Sequence, residues 1–263
     1  DHVGRDEFTG RIGKAVTDIR AFIKQHNLIT MPDEAVAIEP MPGYWANGSW
    51  TILQGPGAFE AAGPYTLYVR PIPADWSEED AVSFLEEHNN YYLDFMALQK
   101  LCPGAYVPAY FSRRDPSVIK RMFPNQGLLK GWPIFLEDMF VESGYGNYDL
   151  RMRLSQLKLL LKTVIDFQMD INVHEGTWTK DKVIEYMTNR GYMTKAEAER
   201  RWEQIVLNPG EGAQAYIGYQ EILDIEKEYQ KLKGASFTVK DFLQQLLSHG
   251  AIPLRTLRVK MAQ

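Results

Sequence analysis

From residue 77 onward, apolar side chains recur every three or four residues, and the gaps between these runs hold helix starts and stops rather than strand turns. That pattern leaves little but a helical body open to the chain. The longest run, residues 150–173, sets Leu154, Leu157, Leu161, Ile165 and Met169 along one side of a helix. Ser77 followed by Asp80 opens a helix predicted to reach through Tyr91 and Phe95 to Leu101, where Pro103 and Gly104 stop it. Residues 125–141 form a second, in which Pro133 predicts a kink or a late start. Thr179 begins a short helix, and Thr194 with Glu197 reads as a capping box for the next. Residues 213–233 are closed by Gly234 and residues 238–248 by Gly250, and Pro253 opens a last helix.

Ahead of this body, Phe8, Ile12, Val16, Ile19 and Ile23 give one buried stripe to a helix over residues 6–25. A region rich in Pro and Gly, residues 31–74, carries three strand-like runs at 35–38, 49–53 and 65–69. The expected fold is therefore mainly α with a small β element near the N-terminus. It is read as one domain over residues 1–263, with a helix in 1–30, a small β and loop region in 31–75 and the helical body in 76–263.

Net charge is −5, from 29 basic and 34 acidic residues well mixed, which gives no electrostatic reason to expect nucleic acid as a partner. The longest apolar stretch, residues 157–165, is interrupted by Lys158 and Lys162 and is too short and too charged to span a bilayer. Cys102 is the single cysteine, so no intrachain disulfide can form. It reads as a small buried apolar residue in preference to a nucleophile near Lys100. The five histidines never fall in metal-ligand spacing, and no His-Glu-x-x-His occurs. No metal and no cofactor are expected.

Several segments, in order, look like parts of one site. Gln99-Lys100-Leu101-Cys102-Pro103-Gly104-Ala105 resembles a His-Glu-x-x-Pro-Gly-His metal-site segment. Lys130-Gly131-Trp132-Pro133-Ile134-Phe135-Leu136-Glu137 resembles Glu-Gly-Trp-Ala-x-Tyr-x-Glu. Asp170 to His174 keeps an Asp-x-x-x-His block, followed by Trp178-Thr179. Pro209-Gly210 through Tyr216 and Gly218, Gly250 through Pro253-Leu254, and Pro56-Gly57-Ala58-Phe59-Glu60 follow the same order. These blocks are similar to the bacterial domain-of-unknown-function family 885, whose members look like zinc metallopeptidases. The resemblance implies the helical half of a zinc-peptidase-like fold, a cleft lined by helices, and the C-terminal half of a typical member. It also implies a protein partner or a missing N-terminal half that would cover an apolar face.

Where the family offers zinc ligands and a general base, this chain offers Gln99, Lys100, Ala105 and Lys130. Catalytic zinc needs about three His, Asp, Glu or Cys ligands, and a protonated lysine has no lone pair to give. Two readings of the lysines stand open: they replace the lost metal charge beside buried acids such as Glu137, or they reach solvent at a site no longer used. Lys130 is expected to meet Glu137 or another cleft acid. Glu137, Asp170 and His174 are the candidate acid–base residues, with Asp170 and His174 on one helix face as a functional pair or as a structural one. Trp132 and Tyr216 are candidate pocket residues, and Tyr91, Tyr92, Tyr145 and Tyr186 also bear on a pocket. The first expectation is a non-catalytic relative that serves as a binding or scaffolding subunit. A metal-independent hydrolase or lyase acting on a small amide or amino-acid-like molecule comes second, and a zinc peptidase third.

Overall fold

The computed structural model describes residues 2–45, 49–60 and 63–262. Of the Pro- and Gly-rich region, 46–48 and 61–62 lie outside the described residues. In chain order come α1 (Phe8–His26), β1 (Val36–Pro40), β2 (Thr51–Gln54), β3 (Tyr65–Val69), α2 (Glu78–Glu87), α3 (Asn90–Lys100), α4 (Tyr106–Arg114) and α5 (Val118–Met122). Then follow α6 (Gln126–Glu142), α7 (Leu150–His174), α8 (Lys180–Gly191), α9 (Lys195–Leu207), α10 (Glu211–Lys233), α11 (Val239–Ser248) and α12 (Leu254–Met261). The fold is mainly α, with a small sheet near the N-terminus.

In that sheet β3 lies at the centre, parallel to β1 and antiparallel to β2. Its alternate residues Tyr65, Leu67 and Val69 are buried, as the two-residue period of a strand requires. Helix α1 buries Phe8, Ile12, Val16, Ile19 and Ile23 as its spacing predicts. These side chains join one large apolar core, while Ile165, Met169, Val183, Met187 and Ile205 build a second, smaller cluster around α7, α8 and α9.

Two expectations need correction, and one apolar stripe is only partly covered. The helix expected to run unbroken to Leu101 is two helices, because Asn89 turns its side chain onto the backbone N–H groups of Tyr91 and Tyr92, at 3.1 Å each, and starts a new one. The break delivers Glu87, His88 and Tyr92 to one cavity. Of the kink or late start that Pro133 predicts in α6, the late start does not occur. Asn125 caps it, accepting from Leu128 N at 2.9 Å, and it continues on both sides of the proline. Finally, the apolar stripe of α7 is buried only at its far end. Leu150, Leu154 and Leu157 are 83%, 67% and 44% exposed, whereas Ile165 and Met169 are buried.

The most extensive helix pair is α6 with α10. Their backbones touch through glycines: a Cβ on Gly131 would stand 2.3 Å from the carbonyl carbon of Gly218. Among the described residues, no helix is long and apolar enough to cross a membrane.

Candidate functional site

Gln99 and Lys100 close α3, Ala105 follows the Pro103-Gly104 turn, and Lys130 stands in the second turn of α6. All four line a single cavity of about 710 Å³. Pro56 and Ala58 line its rim. The fold thus gathers the segments that the motifs set side by side.

Glu137 lies behind this wall, 1% exposed, and accepts a hydrogen bond from Gln99 Nε2. Burial raises its carboxyl to about 8, against smaller lowering by Gln99 and Lys100 and a raising by Asp138. It is therefore mainly protonated at neutral pH, and its Oε2 finds no hydrogen-bond partner among the described residues. Lys130 meets an acid as expected, but the acid is Glu211 in the first turn of α10 rather than Glu137. Lys100 is accessible from the cavity and makes no hydrogen bond or ion pair among the described residues. The protein atoms around its ammonium strip hydration from it and lower its pKa; Glu211 and Glu137 oppose this, and Lys130 and Arg201 add to it.

Asp170 and His174 meet on one face of α7, as their spacing predicts. The Asp170 carboxylate accepts from Gly210 N at 2.9 Å and Ala213 N at 3.0 Å, which ties it to the start of α10, the element that carries Glu211. His174 Nδ1 donates to the Asp170 carbonyl at 2.8 Å and stands 3.1 Å from its carboxylate. His174 does not line the cavity, and neither does Glu137. Trp132, expected in the pocket wall, is fully buried in the core, stacks on Phe135 and reaches the Pro103 carbonyl at 3.4 Å. Tyr216 packs on Phe167 with ring centroids 5.0 Å apart, away from the cavity wall. Cys102 is buried and its thiol is pushed up to about 11, consistent with an inert apolar role. Of the tyrosines singled out, Tyr92 lines the cavity.

The reading from sequence passed over a buried ion network in the same wall. Lys162 of α7 meets Glu197 of α9 at 2.5 Å; Arg201 reaches Glu197 at 3.2 Å and also bonds Asp166; and Arg200 reaches Glu87 at 3.1 Å. Thr194 does cap α9, accepting from Glu197 N at 3.1 Å, but the Glu197 carboxylate turns inward instead of back to the cap. The signal available in the sequence was a lysine interrupting an apolar helical run.

These residues do not fit a zinc ion. Amide, ammonium and methyl groups stand at the ligand positions, and among the described residues no three His, Cys, Asp or Glu side chains gather as a metal would require. Six cationic side chains line the cavity: Glu34 holds Arg113, Glu211 holds Lys130, and Glu197 and Asp166 hold Lys162 and Arg201, which leaves Lys100 and Arg121 without a carboxylate partner among the described residues.

The buried acid predicts a pH dependence. A carboxyl raised from 4.5 to about 8 on folding holds its proton better folded than unfolded. Its contribution is fully present below about 4.5 and is lost as pH rises through about 8. Glu137→Gln keeps the neutral shape without the proton, so its stability relative to the parent should rise by a few kcal/mol between those limits. Urea unfolding of both proteins across that range measures the difference, and parallel pH profiles would refute the assignment.

No curated protein matches the chain. Among solved structures, a "putative lipoprotein of unknown function" from Shewanella oneidensis is similar over 100% of this chain, with 30% identity and a TM-score of 0.89. A "putative lipoprotein" from Colwellia psychrerythraea is similar over 98%, with 18% identity and a TM-score of 0.83, a likeness of fold. The chain spans 47% and 42% of the lengths of these two proteins. The family described as "Bacterial protein of unknown function (DUF885)" matches residues 1–261, and the chain belongs to it.

Proposed function

We propose that this chain is a non-catalytic, ligand-binding member of its family, and that its cleft holds a small molecule through a carboxylate. The observation that carries the reading is Lys100, an ammonium with no ion pair or hydrogen bond among the described residues, beside Lys130 in a cavity of about 710 Å³. Of the six cationic side chains on that cavity, Lys100 and Arg121 have no carboxylate partner among the described residues, in a chain whose net charge is −5. Low-dielectric walls concentrate such a field and favour an anion. A carboxylate on Lys100 would gain a charge-assisted hydrogen bond and restore charge balance. The open cavity speaks for binding over a purely scaffolding role. Hydrolysis draws less support, because neither Glu137 nor His174 reaches the cavity as an acid–base group.

Calorimetric titration with octanoate and octanamide tests this. Octanoate should bind, the amide should bind at least about tenfold more weakly, and Lys100→Met should lose about tenfold for octanoate, the scale of one hydrogen bond to a charged group. Equal binding of acid and amide, or an indifferent Lys100→Met, would overturn the reading. So would one zinc per chain by elemental analysis.

The exposed stripe Leu150, Leu154 and Leu157 further supports a protein partner, or a further portion of the same protein, packed on α7. Apolar-dye binding that stays at background on the isolated chain would count against it.

A further inference from the structure

The cavity that holds Lys100 adjoins space lined by opposite charge. A second cavity, about 550 Å³, shares Tyr92, Thr163, Asp166, Arg201 and Glu211 with the first. A third, about 430 Å³, touches Gln99 and Lys100 as well as Trp50 and His88, so it adjoins both of the others. The second cavity reverses the balance, with three arginines against six carboxylates.

Most of those carboxylates are committed. Glu197 and Asp166 serve Lys162 and Arg201, Asp170 caps α10, and Glu211 holds Lys130. Two are left with capacity. Glu203 is exposed and has no ion pair among the described residues. Glu87 shares Arg200 at 3.1 Å but lies close enough to Glu197 for their charges to repel. Trp50 and Trp76 stand in the same wall, and the Trp50 ring already receives a cation, with the Arg70 guanidinium 5.1 Å from its centroid. Where the cavities adjoin, Tyr92, Leu159 and Ala215 offer apolar wall beside the mutually paired Asp166 and Arg201.

We propose that the cleft takes a zwitterion with widely separated charges, its carboxylate on Lys100 and Lys130 and its ammonium or guanidinium near Glu87, Glu203 and Trp50. The inference rests on the carboxylate reading above and adds the ligand's other end. Lys100 and Lys130 are absent from the wall of the second cavity, and Glu87 and Glu203 from the walls of the first and third, so an α-amino acid with adjacent charges would satisfy only one end. A chain of several methylenes between the charges would pass along Tyr92, Leu159 and Ala215.

The test is calorimetric titration of the intact chain with octanoate, 8-aminooctanoate and N-acetyl-8-aminooctanoate. The free amine should bind about tenfold more tightly than octanoate, and acetylation should remove the gain. Glu87→Gln with Glu203→Gln should close the gap while leaving octanoate unchanged. Should the Glu87 variant not fold, Glu203→Gln alone, at an exposed position, should narrow it. If octanoate binds through Lys100 and the amine adds nothing, this inference is wrong and the carboxylate reading stands. An amine gain that survives the glutamate variants also overturns it, because the second end then lies elsewhere. If octanoate does not bind at all, both readings fall together.

Discussion

Replacing Gly218 by alanine is expected to cost more than about 4 kcal/mol, the range reached by severe overpacking and backbone clash, and at the extreme to leave no folded protein. A Cβ there would stand 1.9 Å from the carbonyl oxygen of Gly127, and one on Gly131 would stand 2.4 Å from the backbone N of Tyr219. Backbone atoms rather than flexible side-chain ends occupy those positions, so relief requires α6 and α10 to move apart along their whole contact. Lys130 is next to Gly131, and Glu211 lies seven residues, or two turns, before Gly218 on α10. The separation that accommodates a methyl would therefore also part the Lys130–Glu211 pair at the cleft. Gly10→Ala is the matched control. Gly10 lies inside α1 with open space around its Cβ position, and alanine there should stabilise by about 0.5–1 kcal/mol through helix propensity. Urea unfolding of the two variants beside the parent measures both signs, and a Gly218→Ala protein as stable as the parent would refute the close crossing.

Much of the fold was legible because helix signals are local. The stripe of α1, the caps at Ser77, Asn125, Thr179 and Thr238, and the glycines at 234 and 250 all lie within a turn or two of what they specify. What escaped was decided by competition at short range or by contact at long range. Asn89 breaks an apolar periodicity that continues across it, because a side-chain cap on two backbone donors outweighs the pattern. Helices α4 and α5, of nine and five residues, are too short to show a periodic apolar stripe. The α7 stripe is apolar along its length, yet periodicity cannot say how much of a stripe its own chain covers.

The candidate site divides along the same line. The segment order brought Gln99, Lys100, Ala105 and Lys130 to one cavity, because each lies beside a turn or glycine that fixes the local backbone. Partners did not follow from order. Lys130 and Glu211 are 81 residues apart, and nothing near either names the other. Trp132 shows the limit for aromatics: its spacing fits a pocket wall and a core position equally, and only the packing of Phe135 and the Pro103 carbonyl selects the core. Asp170 and His174 were legible as a pair, but their role came from the Gly210 and Ala213 N–H groups that only the fold places there.

Glu197→Ala is expected to cost about 3–5 kcal/mol, and most of that loss should return when Lys162→Met is added. The two side chains are 5% and 4% exposed and meet at 2.5 Å. Burial alone would raise the Glu197 carboxyl, but Lys162 and Arg201 outweigh it and hold the group below its usual range. Removing Glu197 leaves Arg201 its bond to Asp166, whereas Lys162 keeps no ion pair among the described residues, only the more distant charges of Glu87 and Asp166. An ammonium without a partner in that wall must shed its proton or draw in water, and either is costly. Methionine at 162 fills similar volume and removes the stranded charge, so the double variant should approach the parent in urea unfolding. The parent's own advantage should shrink as pH falls below the ordinary carboxylate range, since a lowered carboxyl stabilises only while the unfolded chain also ionises. Losses that simply add in the double variant would mean that the pair is not coupled across α7 and α9. Recovery would mean that apolar residues could hold this wall as well as ions do. The charges on Lys162 and Arg201 would then owe their place to the cavity they face rather than to stability.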